Sequence, residues 1–326
     1  MLNILTPDFC LHFYEPMDTK TKLFRSWMFV PGHRARMIEK ALGLNVDAIM
    51  LDIEDGVAVA EKETARQQIA AALVQVQQRL AGSATSYQTP ARYVRINSVG
   101  AVGEPGQERM QADLSAVIRA GLEGLVLPKI NTPEQVRTVA EILDSREPEL
   151  GIPAKSVRLL IAIESPQGLL NAHAIAVSSP RVMGLIFGAE DFGKELGLPL
   201  LREGEARDLL YARSALVTAA AAAHVQAVDG VWPNLKDMEG LNTFALQARR
   251  LGFTGMSLIH PSQIDPINAT FTPTAAEVDY CRQVVQAFDE ATARGDGSIA
   301  FGGQLIDLPI VERARRTLAL AESLKE

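Results

Sequence analysis

The chain has 326 residues, of which 47% are hydrophobic and 22% charged, and its formal net charge at pH 7 is −7. This length fits one large α/β domain or two smaller ones, and the composition excludes extended disorder. The negative balance gives no reason to expect nucleic-acid binding, although a local basic site for an anionic ligand remains compatible with it.

The N-terminal residues 1–24 lack the basic n-region of a signal peptide and carry Asp8, Glu15 and Asp18, which argues against a signal or transit peptide. No apolar run in the sequence reaches the ~18 residues that suggest a membrane span. The two cysteines, Cys10 and Cys281, match no disulfide framework or metal spacing, so we expect reduced thiols. Together these features predict a cytoplasmic protein that binds no membrane, with a poorly ordered extension over residues 1–24.

Short apolar runs alternate along the chain with longer helical patterns. The apolar runs predict strands at 26–30, 48–53, 92–97, 124–129, 157–163, 182–187, 226–231 and 255–260. The helical patterns follow them at 34–43, 61–80, 109–120, 133–145, 167–177, 207–223, 239–251 and 261–269. Thr132-Pro133 and Ser165-Pro166 each combine an N-cap residue with a proline in the first turn. Such strand–helix units predict a (β/α)8 TIM barrel over residues 25–270, with a doubly wound open sheet as the alternative.

A separate helical unit is predicted over residues 271–326. Helical patterns at 274–294 and 309–325 are separated by the glycine-bearing stretch RGDGSIAFGGQLID. Because glycine adopts conformations closed to other residues, the stretch indicates a hinge. We interpret the unit as a C-terminal helical lid, or as an arm that reaches a neighbouring subunit. An ordinary helical cap with a surface loop is the alternative.

Carboxylates follow two neighbouring strands of the predicted barrel. Glu164 follows the strand at 157–163, and Asp191 follows the strand at 182–187. The carboxyl ends of barrel strands form one rim, where the active site lies. Mg²⁺ takes one or two protein carboxylates and keeps other positions for waters or substrate oxygens. The two acids therefore predict a Mg²⁺ site, whereas either acid alone fits a salt bridge or a helix cap.

Other polar residues are predicted at the same rim. Arg95, in VRIN, is a planar and permanently charged donor suited to an oxyanion or enolate. Glu54 and Asp55 are predicted to pair with Arg95 and to orient it. Lys129 is interpreted either as a ligand contact or as the partner of an acid. Glu190 is predicted to border the substrate through its backbone.

A basic segment follows the first predicted strand. In FVPGHRARMIEK, a Pro-Gly turn leads into a helical pattern that carries Arg34, Arg36 and Lys40. A helix N-terminus with spaced cations predicts a site for the phosphates of a bulky ligand, and a solvated basic face is the alternative. His260, before Pro261, is interpreted as a hydrogen-bonded structural residue rather than a base.

These motifs together resemble a known family. The chain contains, in order, RSWMFVPG, LNVDAIMLDIEDGVA, RINSV, LPKI, AIESPQGLLNA, FGAEDFGKELG, IHPSQI and GGQLIDLPIVERA. The set resembles the citrate lyase β-subunit-like branch of the HpcH/HpaI aldolase superfamily, from Arg25 to the C-terminus. The resemblance implies a TIM barrel, Mg²⁺ and a homotrimer or a dimer of trimers.

The resemblance also implies roles for individual residues. Glu164 and Asp191 would be the metal ligands, and Arg95 would bind the keto acid. Asp307 would be the catalytic acid or base, delivered by the lid of a neighbouring subunit. The residues implied to contact the CoA thioester are Phe29, Arg34, Lys40, Ile259 and His260.

The activity implied by the resemblance is retro-Claisen cleavage of a β-hydroxyacyl-CoA. The stretches LNVD…LDIEDGV, RINSV and LAESLKE look most similar to citramalyl-CoA lyases. They predict (S)-citramalyl-CoA as the substrate, with acetyl-CoA and pyruvate as products. The alternatives are a malyl-CoA lyase or thioesterase, and a citrate lyase β subunit acting on a citryl thioester. A non-catalytic CoA-binding protein is the alternative from another functional class.

Overall fold

Eight parallel strands close into a barrel in the order in which they occur in the chain. The strands are β1 (Ser26–Pro31), β2 (Ala48–Asp52), β3 (Ala91–Arg95), β4 (Gly124–Leu127), β5 (Arg158–Ile163), β6 (Val182–Phe187), β7 (Gln226–Asp229) and β8 (Gly255–Leu258). Pairing of β8 with β1 completes the barrel. The (β/α)8 prediction is therefore confirmed, and the open doubly wound sheet is excluded.

The computed structural model describes residues 23–82, 89–100, 105–199 and 207–324. Helices connect the strands and follow β8: α1 (Ala35–Ala41), α2 (Lys62–Gly82), α3 (Pro105–Val117), α4 (Pro133–Glu149), α5 (Pro166–Leu170), α6 (Ala172–Ala176), α7 (Ala189–Leu196), α8 (Leu210–Ala222), α9 (Met238–Leu251) and α10 (Ile264–Phe271). In this described part of the chain, no helix is long and apolar enough to cross a membrane. The predicted N-terminal extension lies outside the described residues as far as residue 22.

The barrel strands are buried on both faces. Residues such as Val30 and Leu51 belong to the core that includes the surrounding helices. The residues that alternate with these along the strands face inward and belong to a separate core inside the barrel. There the rings of Phe24, Trp27 and Tyr93 pack edge to face, with centroids 4.8 to 6.2 Å apart. Burial on both faces explains why the strands appear in the sequence as continuous apolar runs.

Two predicted helix starts are confirmed by their capping contacts. Ser165 Oγ accepts a hydrogen bond from the Gly168 N–H at 2.9 Å, which caps α5. The Gln135 side chain accepts from the Thr132 N–H at 3.1 Å, completing the capping box of α4. Both contacts satisfy N–H groups that a helix leaves without internal partners.

Some helical segments differ from the prediction. The predicted helix at 167–177 is two short helices, because Asn171 leaves the helical conformation and its amide donates to the Asn131 carbonyl at 2.7 Å. Helix α1 is shorter than predicted. Helix α7 was not predicted, because its first residues were assigned to a loop at the strand end. It is a short helix that ends at Gly197 in the left-handed conformation, a common C-terminal signal.

Residues 272–324 form a second compact unit. It contains α11 (Ala275–Ala293), β9 (Ser298–Phe301), β10 (Gln304–Asp307) and α12 (Leu308–Ser323). The stretch predicted as a glycine-bearing break is an antiparallel hairpin of β9 and β10. Gly302 and Gly303 have φ of 58° and 79°, as a tight two-residue hairpin turn requires. The interpretation of this unit as a lid stays a prediction.

Candidate active site

A cavity of about 120 Å³ lies at the carboxyl ends of the barrel strands. Its apolar lining includes Val126, Ala162 and Ile186, which belong to the core inside the barrel. Its charged lining consists of Arg95, Glu164, Glu190 and Asp191. Phe29, Phe187, Gly188, Ala189 and Val231 complete the lining. Polar groups of both signs therefore converge on a small space whose inner wall is apolar.

Glu164 is held at this cavity by the backbone on two sides. Its Oε1 accepts a hydrogen bond from the Lys129 N–H at 2.6 Å. On the other side lies Gly188, where a Cβ would come within 2.5 Å of Glu164 Cβ and 2.7 Å of Glu164 Oε2. Burial, with the nearby charges of Glu54 and Asp191, raises the pKa of Glu164 to about 7.

Asp191 and Glu190 lie in the first turn of α7, where the helix dipole favours negative charge. Asp191 is half-buried and Glu190 is exposed, and both line the cavity. No group of three or more His, Cys, Asp or Glu side chains in the described residues is arranged to hold a metal. Glu164 and Asp191 place two carboxylates at one cavity, and their mutual repulsion contributes to the raised pKa of Glu164. This pair suits a hard cation such as Mg²⁺, which completes its coordination with water or substrate oxygens.

Arg95, the last residue of β3, pairs with an acid that the sequence analysis did not select. Its guanidinium donates to both carboxylate oxygens of Asp52, at 2.7 and 2.8 Å. Glu54 lies farther away, with 3.4 Å between Arg95 Nη1 and Glu54 Oε2. Asp55 instead accepts a hydrogen bond from Lys129 at 2.8 Å. Of the two predicted partners, the structure places Glu54 beside Arg95 and assigns Asp55 to Lys129.

The strand register explains the Asp52–Arg95 pair. Asp52 ends β2 directly opposite Arg95 on β3, so the two side chains leave the sheet on the same face. The Arg95 guanidinium also stacks over the Phe29 ring, 4.8 Å from its centroid. Burial alone would lower the pKa of Arg95, but the hydrogen bonds and charge of Asp52 raise it above the usual range. Arg95 is thus a fixed cation at the cavity.

Lys129 lies between the acids and the predicted metal ligand. Its ammonium group donates to Glu54 as well as to Asp55. Burial alone would lower the pKa of this amine, but the two hydrogen bonds raise it. For Glu54, burial raises the pKa, and Arg95 and Lys129 oppose that shift. Of the two interpretations left open by the sequence, the structure has Lys129 paired with acids.

Of the five residues predicted to contact CoA, one lines the cavity and four do not. Phe29 lines the cavity beside Arg95. Arg34 and Lys40 are exposed on or beside α1, and the Arg34 Nε donates to His33 Nε2 at 2.9 Å. Because α1 has only seven residues and no side-chain cap, it makes a poor anion site by itself.

Ile259 and His260 follow β8, and both are exposed. The His260 ring accepts a hydrogen bond from the Ser262 N–H at 3.2 Å and caps the following turn. This contact agrees with a structural role for His260. Asp307 lies in the second unit, at the start of α12, where it makes no side-chain capping bond. Its predicted catalytic role stays a prediction.

The comparison with protein families decides the class of protein. Residues 25–261 match the model described as HpcH/HpaI aldolase/citrate lyase. The chain belongs to this HpcH/HpaI family. Aldolases and citrate lyases both break carbon–carbon bonds, so the expectation of a carbon–carbon lyase is confirmed at the level of the family.

The similarity to individual relatives extends over nearly the whole chain. The citrate lyase subunit beta of Escherichia coli (strain K12) is 37% identical over 303 residues, covering 93% of this chain and 95% of the relative. The mitochondrial citramalyl-CoA lyase of Rattus norvegicus is 32% identical over 314 residues, covering 93% of this chain and 87% of the relative. The CitE protein of Mycobacterium tuberculosis, solved with magnesium, acetoacetate and coenzyme A, has 27% identity and a TM-score of 0.70 over 92% of this chain and 98% of its own.

Proposed function

We propose that this chain is a Mg²⁺-dependent lyase that cleaves (S)-citramalyl-CoA to acetyl-CoA and pyruvate. The proposal depends chiefly on one observation: Arg95, Glu164 and Asp191 converge on a single small cavity at the carboxyl end of the barrel. Membership of the HpcH/HpaI family supports the reaction class. The magnesium and coenzyme A bound by the CitE relative support the cofactor and the thioester.

The lining of the cavity favours a keto acid with one carboxylate. Among the described lining residues, Arg95 is the single cation, and it already pairs with Asp52. Pyruvate would place its carboxylate near Arg95 and its methyl group against the apolar wall of Val126, Ala162 and Ile186. Oxaloacetate, the product of citrate cleavage, carries a second carboxylate for which this lining offers no partner.

Different residues of the chain would have separate roles in a retro-Claisen cleavage. Glu164 and Asp191 would hold Mg²⁺, which when bound supplies a Lewis acid for the oxygens of the keto acid. A general base, which we do not assign to a residue, would take the proton of the substrate hydroxyl. That oxygen would become the carbonyl oxygen of the keto acid, while the carbon–carbon bond breaks and its electron pair passes to the acetyl-CoA enolate. Arg95 would stabilise the oxyanion that develops on the keto-acid half. Asp307 would protonate the enolate carbon and abstract that proton in the condensation direction.

A homotrimer, or a dimer of trimers, is part of the proposal. In it, the unit of residues 272–324 would act as a lid and bring Asp307 to the cavity of a neighbouring subunit. Arg34 and Lys40 would contact CoA phosphates, and Ile259 and His260 would lie beside the thioester. Glu190 would border the substrate through its backbone.

A panel of thioesters tests the proposal. The purified chain would be incubated with citramalyl-CoA, malyl-CoA and citryl-CoA, with and without Mg²⁺, and acetyl-CoA and the released keto acid would be measured. The expected result is Mg²⁺-dependent release of pyruvate from citramalyl-CoA, faster than cleavage of the other two. Absence of turnover with every thioester would instead support a non-catalytic CoA-binding protein.

A citrate lyase β subunit is the second candidate. It is favoured by the higher identity to the E. coli subunit, 37% against 32% for the citramalyl-CoA lyase. Preferred release of oxaloacetate from the citryl thioester would support it over our proposal. Preferred cleavage or hydrolysis of malyl-CoA would indicate the malyl-CoA lyase or thioesterase activity.

A further inference from the structure

Lys129 contacts the acids near Arg95 through its side chain and the predicted metal ligand Glu164 through its backbone. Its backbone N–H donates to Glu164 Oε1 at 2.6 Å. Its ammonium group donates to Glu54 and, at 2.8 Å, to Asp55. Glu54 in turn lies 3.4 Å from Arg95 Nη1. One residue therefore joins the acids around Arg95 to the proposed metal ligand.

The backbone of Lys129 has an unfavourable conformation. Its φ of 55° lies in the left-handed region, where a residue with a Cβ is disfavoured. Such a conformation persists only where the surroundings hold it, and residues of this kind cluster at functional sites. The ion pairs of the ammonium group and the bond from the N–H to Glu164 are contacts that hold residue 129.

We propose that Lys129 is a positioning residue for the metal site. Its ammonium ion pairs hold residue 129 in the left-handed conformation, and that conformation keeps its N–H on Glu164. Glu164 then faces the cavity in the orientation that Mg²⁺ requires. This inference rests on the metal site of the proposed function.

Two substitutions of Lys129 separate its backbone from its charge. Lys129→Met and Lys129→Gly both remove the ammonium group, so they change the charge near the metal site equally. Glycine adopts the left-handed conformation without steric cost, whereas methionine does not. The difference between these variants therefore reports the backbone contact with Glu164, free of the electrostatic change.

Lys155 provides a matched control. It also has a left-handed backbone, with φ of 60°, and its N–H donates to the Glu147 carboxylate at 2.6 Å. It precedes β5, at the end of the barrel away from the cavity. Lys155→Met repeats the chemical change and the backbone strain far from Glu164.

Isothermal titration calorimetry of Mg²⁺ into the full chain, without substrate, measures the Mg²⁺ affinity of each variant. We expect Lys129→Met to bind Mg²⁺ on the order of tenfold more weakly than Lys129→Gly, as for other residues that orient metal ligands. Lys155→Met should bind Mg²⁺ as the unsubstituted chain does. Equal affinities of the two Lys129 variants would overturn the inference, as would a similar loss in Lys155→Met.

The unsubstituted chain separates this inference from the proposed function. If it binds Mg²⁺ and Glu164→Gln does not, the metal site stands, and the Lys129 variants decide the inference alone. If the unsubstituted chain binds no Mg²⁺, the proposed metal site fails and the inference fails with it.

Discussion

At the scale of single residues, the site has more negative charge than positive. Six carboxylates lie at the cavity or beside it, and three cations face them. The acids are Asp52, Glu54, Asp55, Glu164, Glu190 and Asp191, and the cations are Lys62, Arg95 and Lys129. These cations lie with Asp52, Glu54 and Asp55, and among the described residues neither Glu164 nor Asp191 forms a salt bridge, so an excess of negative charge is left at the cavity. A divalent cation would balance it.

Asp52→Asn should destabilise the protein because it removes one partner of a buried ion pair. The Asp52 side chain is 5% exposed, and its loss leaves the Arg95 charge without its main partner. We expect the free energy of unfolding in urea to fall by about 3 kcal/mol. Asp55→Asn is the control, because Asp55 is 60% exposed and its ion pair should contribute less than about 1 kcal/mol. Equal losses in the two variants would contradict the assignment of Asp52.

Arg95→Lys should separate binding of the metal from stabilisation of the oxyanion. Lysine keeps the positive charge but loses the planar fork that pairs with Asp52 and faces the cavity. We expect kcat/KM for citramalyl-CoA to fall by about 100-fold, with Mg²⁺ affinity unchanged. Steady-state kinetics and Mg²⁺ titration measure the two quantities. Unchanged kinetics would remove Arg95 from the proposed mechanism.

At the scale of elements, the junction of β6 and α7 positions the predicted metal ligands. Strand β6 ends at Phe187, and α7 starts at Ala189, so Gly188 is the single residue between them. Glu164, which follows the neighbouring β5, packs against Gly188. The short junction brings Asp191, in the first turn of α7, to the same cavity. The positions of both acids therefore depend on the absence of a side chain at Gly188.

Gly188→Ala should displace Glu164. The added Cβ would lie 2.5 Å from Glu164 Cβ, which cannot move without its backbone. We expect Mg²⁺ affinity to fall by about tenfold or more, measured by calorimetric titration. Gly82→Ala, at the end of α2, is the control, because no atom of the described residues lies within 4 Å of its added Cβ. Wild-type Mg²⁺ binding by Gly188→Ala would show that Glu164 is not a ligand in this orientation.

At the scale of the whole molecule, the described chain consists of two units with separate cores. The barrel unit contains the cavity and the predicted metal ligands. The second unit contains Asp307, at the junction of β10 and α12. The proposed mechanism needs residues of both units, and the proposed oligomer supplies them from different subunits.

Complementation between inactive variants tests this arrangement. Glu164→Gln and Asp307→Asn should each lose most activity. When they are co-expressed, a cyclic trimer with shared sites should regain activity at roughly a quarter of its sites, where the intact Glu164 meets the intact Asp307 of a neighbour. Activity assays of the co-purified mixture, against each variant alone, measure the gain. No gain would mean that Asp307 does not act across a subunit interface.

The sequence by itself determined the barrel and all eight of its strands. Continuous apolar runs separated by helical patterns are sufficient for this, because strands buried on both faces leave a strong signal. The same pattern located Arg95, Glu164 and Asp191, since polar residues at the ends of apolar strands meet at one rim. The hairpin at 298–307 and helix α7 were missed, because short elements have few residues from which to judge a period.

Only the tertiary structure decided which side chains meet. Asp52 was overlooked beside Glu54 and Asp55 because partner choice depends on strand register, which pairs Asp52 with Arg95. Sequence periodicity likewise gives no sign of the left-handed conformation of Lys129 or of the close approach of Gly188 to Glu164. These contacts join residues far apart in the chain, so the packing of the barrel, rather than any local pattern, brings them together.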